Sequence, residues 1–141
     1  MNFFTKIGSI GLILALAIGS TQSVFAQGNE LPKIGAVKNA PSGAGCSFSL
    51  AGSKSTAPIF VNIAGEVTLM NFDGKDTKLT RVGNRSDRPH APENYTAKNL
   101  KIKLAFRPTK KIDYTQLYDV QITISNGNKT QAIKASGGCG C

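Results

Sequence analysis

The most reactive side chains in this sequence are three cysteines, Cys46, Cys139 and Cys141. In an oxidising compartment they allow one disulfide and one remaining thiol, in three possible pairings. A bond from Cys46 to Cys139 or to Cys141 would staple one end of the folded region to the other. Closing so long a loop contributes about 4 kcal/mol in the chain-entropy account, a large share of a small domain's stability. A bond between Cys139 and Cys141 would instead make a small strained ring, easily reduced and suited to redox exchange. Thiolates from Cys139 and Cys141, completed by Cys46 or Met70, form a soft donor set for an ion such as copper(I). The spare thiol also suits an intermolecular bond. The expected use is the structural staple, with thiol redox or soft-metal binding as the alternative and no cofactor required.

Conventional catalytic sets are thin. His90 is the single histidine, so a histidine metal cluster is excluded, and Ser86 four residues before it has no evident third group to orient the imidazole. Glu66, Asp73 and Asp76 are candidates for paired carboxylates, yet aspartate is an ordinary turn residue. The chain reads as a binding or structural protein and not as an enzyme. Charge is more informative: 17 Lys and Arg against 8 Asp and Glu give a formal net charge of +9. Lys101, Lys103 and Arg107 share one side of an alternating stretch, Lys110 and Lys111 follow, and Arg85 and Arg88 lie in the polar segment before it, near Lys78 and Arg81. Brought together, Arg85, Arg88, Lys101, Lys103, Arg107, Lys110 and Lys111 would form an anion-binding surface. The expected partner is an anionic envelope polymer, a lipid headgroup or an acidic protein. Lysines that keep an exposed sheet face soluble are the plainer use of the same residues. Nucleic acid is not expected, because aromatic residues interleaved with the basic ones are scarce.

Strands must position these groups, since the apolar pattern has a period of two almost throughout. Residues 46–50 alternate with Cys46, Phe48 and Leu50 on one side, and residues 58–63 and 66–72 follow as strands around Ala64-Gly65. Asp73-Gly74 is a hairpin signal, with 77–82 as the returning arm. A two-residue loop there faces Met70 to Thr77, whereas a bulged three-residue loop faces Leu69 to Leu79 and pairs the leucines; the bulged form is preferred. Residues 99–107 place Leu100, Ile102, Leu104 and Phe106 opposite Lys101, Lys103, Ala105 and Arg107. In the final hairpin, Gly127 and Asn128 as turn residues set Ile122 against Ile133, Ile124 against Gln131 and Val120 against Ala135. The segments 83–98 and 107–113 read as long loops suited to binding. No run has helical apolar spacing. Seven short strands joined by turns predict an all-β fold, a compact antiparallel sandwich or barrel.

Residues 1–26 carry a polar head with Lys6, an apolar run from Ile10 to Ile18 and small residues ending at Ala26. The run is shorter than the roughly 18 residues that spanning requires, so it reads as a secretory signal peptide. Residues 27–45, with two prolines and several glycines, read as a flexible lead-in, and 46–141 as a single β domain. The mature chain is expected to be periplasmic or secreted and not transmembrane.

Two resemblances add to this reading. Cys46-x-Phe48, Pro58-Ile59-Phe60, Asn71-Phe72-Asp73-Gly74-Lys75-Asp76 followed by Leu79, and the ending Gly138-Cys139-Gly140-Cys141 resemble a group of small exported bacterial β proteins of uncharacterised function. That likeness implies a periplasmic β domain and brings no activity with it. Asp73-Gly74-Lys75, Leu79, Val82, Cys46 and the late cysteines are also similar, more faintly, to the C-type lysozyme inhibitors, β-barrels with early and late cysteines bridged. The serine-bearing loop of that family has only Ser86 as a counterpart here. The functional expectation is an exported, non-catalytic envelope domain that binds an anionic component, with an inhibitor-like role as a further alternative.

Overall fold

Alternation at Leu100, Ile102 and Leu104 buries one face of the longest strand and leaves Lys101, Lys103 and Ala105 exposed on the other. The computed structural model describes residues 30–140, and among these it holds ten strands and no helix. The strands are β1 (Ile34–Gly35), β2 (Gly45–Leu50), β3 (Pro58–Ile63), β4 (Val67–Phe72), β5 (Lys75–Lys78), β6 (Thr80–Arg81), β7 (Glu93–Ala97), β8 (Leu100–Ile112), β9 (Thr115–Ser125) and β10 (Thr130–Gly140). All pair antiparallel within one sheet. The expected signal peptide and Cys141 lie outside the described residues.

From β2 through β10 each strand pairs with the next, except that β5 and β6 do not pair with one another, and β10 returns to pair with β2. Residues 75–81 join the two ends of this series. Lys75–Lys78 pairs with β4 and Thr80–Arg81 with β7. Between them Leu79 donates its N–H to the Thr68 carbonyl at 2.9 Å and buries its side chain. One bent segment therefore links the two ends of the curled sheet, with its first part on β4 and its last on β7. Of the two expected architectures, the stacked sandwich does not occur: there is a single curled sheet. Its concave side buries Phe48, Phe60, Met70, Ile102, Leu104, Ile122 and Ile124, contributed by strands around the whole series.

Several expectations need correction. The count is ten strands and not seven, because β1 lies in the expected lead-in, β7 lies in the expected loop 83–98, and the returning arm splits at Leu79. Residues 107–112 are likewise strand, the outer half of β8, and not a loop. The Asp73-Gly74 hairpin takes the two-residue form, with Met70 facing Thr77 and Phe72 facing Lys75. Both turn residues have positive φ, 51° at Asp73 and 84° at Gly74, the turn whose twist matches that of the flanking strands; turn chemistry outweighs pairing the leucines. The final hairpin has the expected register, Ile122 against Ile133 and Val120 against Ala135.

The stretch read as a flexible lead-in is docked over residues 31–39. Asp73 exchanges two hydrogen bonds with Lys33, accepting its N–H on Oδ1 and donating its own N–H to the Lys33 carbonyl, both at 2.9 Å. Asp76 accepts the N–H groups of Lys38 and Asn39 at 2.9 and 2.8 Å and the amide of buried Asn71 at 3.0 Å. These donors, Asn71 first, hold the Asp76 carboxyl below its ordinary pKa of 3.8. Val37 then covers Val61, Ile63 and Leu69 on the convex side of β3 and β4, so those strands are buried on both faces. The aspartates considered as a catalytic pair are thus docking points for the lead-in.

Candidate functional site

The strand directions gather three connections at one end of the curled sheet: residues 64–66, residues 82–92 and the Asp113-Tyr114 turn. The inward-facing residues at this end differ from the apolar core. Register places Cys46 opposite Cys139, Asn62 opposite Thr68, and Arg81 opposite Tyr95. Cys46 and Cys139 are joined by a disulfide, so of the two expected staples the one to Cys139 is found. Gly137 permits the close approach of β10 to β2 that this pairing needs: a Cβ there would lie 2.0 Å from the Ser47 carbonyl oxygen. The bond consumes two of the three thiols considered for a soft metal, and Met70 is fully buried in the core. Among the described residues no three His, Cys, Asp or Glu side chains form a metal-holding group.

Above the disulfide lies a mouth cavity of about 190 Å³, walled by Phe106 and Tyr118 and overhung by Arg85, Ser86, Arg88 and His90 from the 82–92 connection. His90 has a left-handed φ of 58°, uncommon for a residue with a side chain. Its Nδ1 lies 2.7 Å from the Tyr118 hydroxyl, and the two rings meet edge to face with centroids 5.3 Å apart. Tyr118 is the group that orients the imidazole. It lies 28 residues away in sequence, and local spacing gives no sign of it. Behind it, rings in contact run from Tyr118 through Phe106 and Phe48 to Phe60 and Tyr95.

Burial, and then the negative charge of Glu93, raise the Tyr118 pKa above its usual value. Tyr95 is raised far more, first by burial and then by its hydrogen bond to Glu93 Oε1 at 2.6 Å. Both phenols keep their protons through neutral pH. Glu93 also pairs with Arg81 at 3.3 Å, and the Arg81 guanidinium lies over the Tyr95 ring. The carboxylate of the mouth is therefore engaged from two sides.

The expected anion-binding residues do not form one surface. Arg85 and Arg88 overhang the mouth, and Lys110 and Lys111 stand at the same end, on β8 beyond a register shift between Pro108 and Lys111. Lys101 and Lys103 lie toward the opposite end of β8, beside an outer groove of about 320 Å³ that Val82 and Thr123 also line. Ten residues of strand, about 33 Å, separate Lys101 from Lys111. Arg107 sits between them and is paired with Asp119. Neither Arg85 nor Arg88 has an ion-pair partner among the described residues. A larger outer groove, about 580 Å³, runs past Ala105, Gln121 and Lys134, and the Arg107–Asp119 pair lies along it.

Large apolar side chains are also exposed at the mouth end. Ile112 is 48% and Tyr114 84% accessible, one on each side of Asp113 at the tip of the β8–β9 hairpin. Sequence spacing groups Lys110 and Lys111 with Lys101 and Lys103 and gives no sign of these two apolar neighbours. Comparison of the chain with protein-family models, with curated proteins and with solved structures gives no match.

Proposed function

We propose that the protein is an exported, non-catalytic binding domain of the bacterial envelope that docks its mouth end on an anionic phospholipid surface. One observation carries this reading: Arg85, Arg88, Lys110 and Lys111 share an end of the sheet with the exposed Ile112 and Tyr114. Cations beside an aromatic and an aliphatic side chain suit a membrane interface, where the amphipathic ring enters the headgroup layer and the cations meet lipid charge. Each Lys or Arg near such a surface contributes about 1 kcal/mol, so these four contribute about 4 kcal/mol, roughly a thousandfold in partition. Glu66, Asp87 and Asp113 at the same end reduce that field.

The test is sedimentation of the mature chain with phosphatidylglycerol vesicles and with isolated envelope polymer. Arg85→Gln, Arg88→Gln, Lys110→Gln and Lys111→Gln together should abolish pelleting with the vesicles, while Lys101→Gln with Lys103→Gln should leave it intact. Equal loss in both variants would contradict a localised mouth-end contact. Retention on the polymer but not on vesicles would replace the lipid by an anionic polymer.

A further inference from the structure

We infer that the mouth cavity receives a single phosphomonoester group, held between Arg85, Arg88 and His90; this deepens, and rests on, the reading of the mouth end as the anion-facing one. The polar groups left available there are mostly donors. The guanidiniums of Arg85 and Arg88 have no ion-pair partner among the described residues. Ser86 Oγ accepts the Arg88 N–H at 3.1 Å, which holds the turn carrying both arginines and leaves the hydroxyl proton for an outside acceptor. His90 uses Nδ1 for the Tyr118 hydroxyl, which leaves Nε2 as the ring nitrogen open to an occupant of the cavity. Glu93, the one carboxylate of the lining, is already engaged by Arg81 and Tyr95.

Charge and size narrow the occupant. Arg81, Arg85 and Arg88 against Glu93 leave the lining at a formal +2. A phosphate monoester, close to dianionic at neutral pH, matches that charge and presents several acceptor oxygens to guanidinium forks. A carboxylate neutralises half of it. Asp87, in the same connection, does not line the cavity. A volume of about 190 Å³ falls below the roughly 300 Å³ of sites that enclose whole drug-sized ligands. The cavity therefore takes a terminal phosphate, with the body of its carrier outside against Phe106 and Tyr118.

The intact exported chain would be titrated with inorganic phosphate and with acetate while the Arg85 and Arg88 side-chain N–H signals and the His90 ring are followed by NMR. The expected result is one saturable phosphate site, at least about tenfold tighter than acetate, because a dianion facing two guanidiniums gains more Coulomb energy than a monoanion making the same paired hydrogen bonds. Arg85→Gln with Arg88→Gln, both exposed and outside the core, should weaken it at least about tenfold, and Lys110→Gln with Lys111→Gln should leave it unchanged. Vesicles of phosphatidic acid should then outcompete phosphatidylglycerol at matched surface charge if the phosphate is a lipid's; equal competition assigns it to a soluble or polymer-borne monoester. No saturable shift in the wild-type chain, or unaltered affinity in the arginine variant, overturns the inference. Vesicle retention without phosphate binding leaves the surface reading and removes the pocket, and the converse does the opposite.

Discussion

Breaking the Cys46–Cys139 bond should cost the domain a large part of its stability. The two cysteines are 93 residues apart in sequence, and a loop of that length restricts the unfolded chain by about 4.6 kcal/mol at 25 °C. A domain of this size has about 5–15 kcal/mol in total. The perturbation is Cys46→Ala with Cys139→Ala in a Cys141→Ser background, so that no other thiol can re-form a bridge. Chemical unfolding in urea should then show a midpoint lowered by the equivalent of about 4–5 kcal/mol and a steeper slope, because the released chain exposes more surface when unfolded. Thermal unfolding should fall by about 20 °C, given an unfolding entropy near 2.1 cal/mol/K per residue. A reductant should reproduce the shift in the parent chain and leave the variant unaffected. A loss under about 1 kcal/mol would refute the staple and point to a bond kept for exchange chemistry.

Two further perturbations probe how the sheet is held. Because the folded Asp76 carboxyl lies below its ordinary 3.8, its stabilising contribution is complete above that value and is lost as pH falls through the folded pKa. Asp76→Asn should lower the urea midpoint at neutral pH, with the difference from wild type shrinking below pH 3.8; a constant difference at every pH would show that the docked lead-in does not depend on the charge. Gly137→Ala drives a Cβ to 2.0 Å from the Ser47 carbonyl and should cost about 1–3 kcal/mol, with amide protection lost first between β2 and β10. Unchanged protection there would contradict the close approach of the two strands.

What the sequence revealed followed from which interactions are local. β8 was legible because Leu100, Ile102 and Leu104 face one way and lysines the other, and the final hairpin because its turn residues and apolar face agree on one register. β7 was not, since Tyr95 and Ala97 are its only buried residues and Pro92 precedes it. The register of the Asp73-Gly74 hairpin was not, because the leucine pair that favours the bulged form is outweighed by turn twist. β1 has two residues and is held by aspartates about forty positions away. The mouth was legible only as parts: Arg85, Arg88 and His90 stood out by type, but their grouping with Tyr118 and Cys139 depends on a sheet that closes through one bent segment at Leu79. Periodicity does not encode such a long-range juxtaposition.

The most direct test of the mouth-end account is the salt dependence of partition onto phosphatidylglycerol vesicles, measured for the wild-type chain and for the two sets of glutamine variants. The account predicts a steep loss of binding with salt for wild type and for Lys101→Gln with Lys103→Gln, and a flat, weak response for the variant lacking Arg85, Arg88, Lys110 and Lys111. Identical salt dependence in all three would contradict it.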